Sequence, residues 1–123
     1  MIQTSVLKPL ADRRIHVYVV WGPITANDSE QYVPYSQGLL SDPRAEHFWD
    51  GGLVLGKAYA PVLKLPPGEI AWDIYLLFAP GLTWTDPVPT PSFWMHQLPG
   101  APPDLVLDPA RLLREIEAVP ASR

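Results

Sequence analysis

Ile15-His16-Val17-Tyr18-Val19-Val20-Trp21-Gly22-Pro23 is the stretch that decides the fold. Its first seven residues are mostly β-branched or aromatic, the types that fit a pleated surface. Their apolar content is nearly continuous rather than alternating, which predicts a central strand covered on both faces. Gly22–Pro23 ends it with turn chemistry.

Working outward, Asn27-Asp28-Ser29-Glu30 supplies N-cap side chains for a helix running towards Leu39–Leu40. Pro34 and Gly38 weaken that helix, and Asp42–Pro43 closes it. Arg44 to Asp50 reads as a short strand, broken by Gly51–Gly52. Within Leu53 to Leu63, Leu55, Ala58, Tyr59 and Val62 fall at i, i+3, i+4, i+7, a helical face that Pro61 limits. Pro66-Pro67-Gly68 is a turn. Ala71 to Ala79 is the second strong strand. Pro80–Gly81 then turns the chain, and Leu82-Thr83-Trp84 is the expected antiparallel return. At the C-terminal end, Asp108–Pro109 gives an N-cap and a proline at the first helical position. Leu112, Leu113, Ile116 and Val119 make one apolar face behind them. On the N-terminal side, residues 1–13 have no clean period and read as an extended lead-in.

Strands alternating with helices imply an α/β class, a mixed central sheet with helices on its faces. The 123 residues amount to one domain, 1–123, with neither repeat nor linker. A chain this long buries roughly two-thirds of its unfolded surface and needs no metal or disulfide to fold.

Composition narrows the chemistry. The absence of cysteine excludes thiol, disulfide and iron–sulfur mechanisms. Nine basic against thirteen acidic residues leave a net charge of −4. The densest basic feature is Arg13–Arg14, which argues against nucleic acid or an anionic membrane as partner. No apolar run approaches the ~20 residues of a membrane span, and the first fourteen residues lack the apolar core of a secretory signal, so the expected setting is cytoplasmic. Proline is abundant, 16 residues of the 123 against a usual ~5%. Many cluster between Pro87 and Pro103 around Phe93, Trp94 and Met95, so residues 85–106 read as a stiff, ordered loop with a structured piece at Ser92–Leu98.

The element order and one local motif resemble the thioredoxin family. That family ends its first buried strand in Trp-Cys-Gly-Pro-Cys, which opens a helix. Here the strand ends in Val19-Val20-Trp21-Gly22-Pro23-Ile24. Trp21, Gly22 and Pro23 match, the first cysteine has no counterpart, and Ile24 stands at the second. Leu55 to Tyr59 is similar to the helix before the family's third strand, and Ile74 to Trp84 to that strand, its turn and the fourth. The family's cis-proline before the third strand is replaced by Ile70–Ala71, since Pro66–Pro67 lie too early. Phe48-Trp49-Asp50 and Trp94-Met95-His96-Gln97-Leu98 are also similar to stretches of uncharacterised thioredoxin-like proteins. The resemblance spans Ile15 to Trp84 and the last helix; Trp84–Leu98 has no counterpart in thioredoxin itself. It implies a thioredoxin-like fold whose active site is erased.

Candidate site residues follow from chemistry. His47, Asp50, Asp73 and His96, with Trp21, form the residue set of a cysteine-free catalytic pocket. His47 and Asp50, three apart on a strand, point to opposite faces, and no His-x-x-x-His pair exists, so no metal or cofactor is expected. Asp50 and Asp73 each follow a tryptophan, where a carboxylate either gains general-acid character or fixes a turn. Ser92 and His96 are the one close Ser–His pair, outside any Gly-x-Ser-x-Gly context. Trp21 and Pro23 mark the erased site. Phe93, Trp94 and His96 sit in the proline-braced loop, which either folds back onto the core or meets a partner, since Trp and Met are enriched at interfaces. The expectation is a non-catalytic module that binds a protein or itself as a homodimer; a small enzyme or ligand-binding protein is the alternative.

Overall fold

The structure is a computed structural model that describes residues 2–11, 14–23, 40–85 and 87–119. The helix expected from Asn27 towards Leu40 lies outside them, apart from Leu40 itself. The chain divides into two compact units, Met1–Val54 and Leu55–Arg123, each described on its own. Together they make a small mixed α/β protein with two two-stranded sheets.

In the first unit, β1 (Val17–Trp21) pairs in parallel with β2 (Ala45–Trp49), with Val19 beside His47 and Trp21 beside Trp49. Side chains alternate between faces. Val17, Val19, Trp21, Ala45, His47 and Trp49 are half-buried, whereas Tyr18, Val20, Glu46 and Phe48 are exposed. The expected cover on both faces is therefore found on one. Trp21 C=O accepts from Asp50 N–H at 2.7 Å, closing the ladder's end. Gly22 follows, where the Leu53 side chain and the Asp50 carbonyl both crowd in. A Cβ there would lie 2.8 Å from Leu53 Cδ2.

The N-terminal segment is not extended. Gln3–Leu7 and Lys8–Leu10 form successive helical turns that bury Val6, Leu7 and Leu10. Leu7 and Leu10, three apart, line the inner side of these turns, a face too short to register as a period. The last carbonyls of a helical segment lack internal partners, and here Arg44 supplies them. Its Nη2 donates to Leu7 C=O at 2.9 Å and its Nη1 to Leu10 C=O at 2.7 Å. Asp42 grips the same guanidinium, accepting from Nε at 2.9 Å and from Nη2 at 2.7 Å. That guanidinium holds the Asp42 carboxyl down at about 2, and Asp42 in turn raises Arg44.

In the second unit, α1 (Val54–Val62, its first residue belonging to the first unit) carries Tyr59 into the core, with Pro61 in its last turn. Gly56 lets the helix backbone meet the 70–71 segment. Its C=O accepts from Ala71 N–H at 3.0 Å, and a Cβ would stand 2.5 Å from Ala71 O. Tyr59, Leu63 and Ala71 form the core, packed by Leu55, Ile74, Leu76, Phe78, Val88 and Trp94 among others. The Tyr59 hydroxyl donates to Pro89 C=O at 2.9 Å, and burial pushes it up to about 12.

β3 (Ile74–Leu77) pairs antiparallel with β4 (Phe93–His96), Ile74 beside His96 and Leu77 beside Phe93. The return strand is thus not Leu82–Trp84 but a stretch inside the expected loop. Trp84 is instead taken by ring packing, its centroid 5.5 Å from Phe78 and 6.2 Å from Tyr59. Pro87, Pro89 and Pro91 offer no ladder donors, so pairing resumes only after them. Within 85–106 there is also a helical turn at Pro103–Leu105. The closing helix α2 (Pro109–Ala118) starts as expected: Asp108 accepts from the N–H groups of Ala110 and Arg111, and Leu112 is buried.

Candidate functional site

Around the ends of β1 and β2, the geometry of the first unit brings Trp21, His47 and Asp50 together. Trp21 Nε1–H donates to His47 Nδ1 at 3.0 Å, the two rings lying 9° from parallel with centroids 6.1 Å apart. An acceptor at Nδ1 places the ring proton on Nε2, which faces Leu40 C=O at 3.0 Å. Both nitrogens of the imidazole are bonded. Asp50 Oδ1 accepts from Val54 N–H at 3.0 Å, and Asp50 C=O accepts from Leu53 N–H. This carboxylate therefore leads the chain out of β2 and into α1. Leu53 reaches that position with φ 53, a left-handed conformation uncommon for its type. Pro23 is half-buried just beyond the cluster.

Asp73, Phe93, Trp94 and His96 belong to the β3–β4 hairpin of the second unit. His96 is fully buried. Its Nδ1 accepts from Leu98 N–H at 2.9 Å and its Nε2 faces Pro102 C=O at 2.7 Å. Its own C=O accepts from Leu107 N–H at 2.7 Å. One residue thereby fixes the turn after β4 and the return of the chain beside it. Trp94 packs on the Tyr59 core, 5.5 Å from the His96 ring. Phe93 lies under the Arg111 guanidinium, 5.1 Å from its ring centroid. With Met95 and Leu98 also buried, the Phe93–Leu98 segment folds back onto the core. Ser92 does not engage His96, since both its N–H and its hydroxyl donate to Leu77 C=O at the hairpin's end. It caps a strand pair.

At the hairpin's other end, Asp73 (φ 51) accepts from the Tyr75 hydroxyl at 3.0 Å, and Gln97 Nε2 donates to that hydroxyl at 3.3 Å. Burial, then the Asp73 charge, pushes Tyr75 up to about 12. The hydroxyl stays protonated and is the donor towards Asp73.

The chemical capacity of these groups is narrow. General bases and metal ligands need a free lone pair, and His47 and His96 have spent theirs on structural N–H donors. Among the described residues, no three His, Asp or Glu side chains gather closely enough to hold a metal ion. No helix of the described residues is long and apolar enough to cross a membrane.

Sequence reading missed the Asp42–Arg44 clamp, whose signal is an Asp-Pro-Arg turn with opposite charges two residues apart. It also missed the open face of the first sheet. Tyr18 is 63% exposed, Val20 41% and Phe48 49%. These residues are contiguous: Val20 registers with Phe48, and the Tyr18 and Phe48 rings lie 6.3 Å apart. His16 stacks on Tyr18 at 6.4 Å, extending the row. Compared with protein-family models, curated proteins and solved structures, the chain matches none.

Proposed function

We propose that this chain is a redox-inactive, thioredoxin-like module that works by binding protein through an apolar surface. The observation that carries the reading is the open face of β1 and β2, where Tyr18, Val20 and Phe48 lie exposed and in contact. Single exposed apolar residues are ordinary, but a contiguous aromatic and aliphatic patch marks an interaction site. The candidate histidines support the same side of the choice, because both ring nitrogens of each are engaged in the fold.

The element order and one local motif support the thioredoxin-like part of the reading. A parallel strand pair precedes an antiparallel one, a helix separates them, and a second helix closes the chain. Trp21-Gly22-Pro23 stands at the end of β1, where that family begins its active-site motif. Without cysteine the thiol chemistry of the family is impossible, so a retained fold would serve recognition.

The test is titration of the native protein with an environment-sensitive apolar dye. We expect binding to the folded chain, and a clear loss of it in Tyr18→Ser and Phe48→Ser. If the folded protein does not bind the dye, or both variants bind it as well as the parent, the surface reading is lost.

A further inference from the structure

We propose that the open face of β1 and β2 seats a second copy of this chain, packed face to face about a two-fold axis that runs along the strands. The inference rests on the protein-binding reading and names its partner.

A sheet with an apolar face is stable when another layer covers it. The face has two rows: His16, Tyr18 and Val20 along β1, and Glu46 and Phe48 along β2. The register sets Tyr18 beside Glu46 and Val20 beside Phe48. A two-fold axis parallel to the strands preserves their direction and exchanges left for right. β1 of one copy then lies over β2 of the other, at the ~10 Å spacing and slight rotation of stacked sheets. Val20 meets Phe48 of the second copy, apolar against apolar. Tyr18 and His16, both with hydrogen-bond donors, meet Glu46 of the second copy, the one carboxylate of the face.

The match is self-complementary twice over, as an isologous contact requires. It is also selective. Sliding one copy along the strands turns the two-fold into a screw that does not close, and a slip of two residues sets Glu46 over Val20. The contact is small, two short strands from each copy, which places it in the class below about 1,200 Å², that of weak and transient encounters.

The experiment is sedimentation equilibrium of the full chain from micromolar to submillimolar concentration, with thermal unfolding as a control for folding. The parent should dimerise. Tyr18→Glu, which sets carboxylate against carboxylate across the axis, and Phe48→Glu should each raise the dimer Kd about 30-fold or more. Adding Glu46→Lys to Tyr18→Glu should restore association; since the two positions are also neighbours within one sheet, the rescue counts for the two-fold contact where the Tyr18→Glu single variant unfolds at the parent's temperature. A dimer unmoved by both single variants overturns this face as its seat. A rescue that fails while both chains are folded overturns the two-fold arrangement. A parent that stays monomeric throughout overturns the second copy as occupant, and the dye titration then decides the protein-binding reading by itself.

Discussion

His47 in the first unit and His96 in the second are bonded alike. Each accepts an N–H at Nδ1 and turns Nε2 to a backbone carbonyl. Their surroundings differ. The His47 ring is half-buried and its N–H donor is a side chain 26 residues away, whereas the His96 ring is fully buried and its partners lie two and six residues away. One bond ties two distant strands together; the other shapes a turn. The units as wholes divide the same way. Around its N-terminal turns, the first buries Val6, Leu7 and Leu10 under a charged clamp reaching across the chain. The second packs aromatic rings around Tyr59. Polar long-range contacts carry more of the first unit, and apolar packing more of the second.

The sharpest way to break the contrast is to empty the aromatic core. Tyr59→Ala removes a fully buried ring and should cost about 4 kcal/mol, seen as a lower urea midpoint. Tyr59→Phe keeps the ring and loses only the bond to Pro89 C=O, so it should cost about 1 kcal/mol. A Phe variant as damaging as the Ala variant would mean that the hydroxyl, not the packing, organises this core.

Next in size is the clamp. Arg44→Ala strips partners from Leu7 and Leu10 carbonyls and should cost about 2–3 kcal/mol. Hydrogen exchange at the amides of Ala11 and Val17, which bond Lys8 and Arg44 carbonyls, should speed up. Unchanged exchange there would remove the polar clamp from the account of the first unit.

The two histidines come third. His96→Ala leaves Leu98 N–H without its ring acceptor in a buried site, while Pro102 C=O keeps the bond from Leu105 N–H, for about 2 kcal/mol. His47→Ala leaves the half-exposed Trp21 indole N–H to water and should cost about 1 kcal/mol, with a red shift in tryptophan emission. Equal costs would erase the distinction between the two settings.

The smallest effect is acid sensitivity. Asp42 titrates at about 2 in the folded chain against 3.8 for the free side chain, so the unfolded chain binds more protons in between. The stability it contributes is present above about pH 4 and is lost as pH falls through 2, an effect of about 1 kcal/mol for a partly buried pair that solvent still screens. Asp42→Asn should flatten that part of the stability profile, as read by chemical denaturation at stepped pH.

Elements whose residues announce themselves locally were legible in the sequence: β1 in its β-branched and aromatic run, β2 in the short stretch broken by Gly51–Gly52, α1 in its spacing, α2 in Asp108–Pro109. What was hidden depended on partners far along the chain or on strands with unpromising flanks. Leu7 and Leu10 make sense as helical only once Arg44 is seen to hold their carbonyls. β4 is four residues between Ser92 and Gln97, and the proline-rich context masked it. Of the candidate site residues, Trp21 and His47 are joined through their side chains and Asp50 meets Trp21 through its backbone N–H, bonding that could not be read from spacing. Two histidines with potential chemistry became struts because backbone and indole N–H groups reached them first.

The prolines before β4 have a consequence beyond local shape. Pro87, Pro89 and Pro91 carry no N–H, and Pro99, Pro102 and Pro103 follow the strand closely. The ladder can lengthen in neither direction without meeting a residue that cannot donate. A four-residue strand so bounded gives an intruding chain too short a template for growing a fibre. The hairpin thus carries its own protection against aggregation, fixed in covalent structure and indifferent to salt or pH.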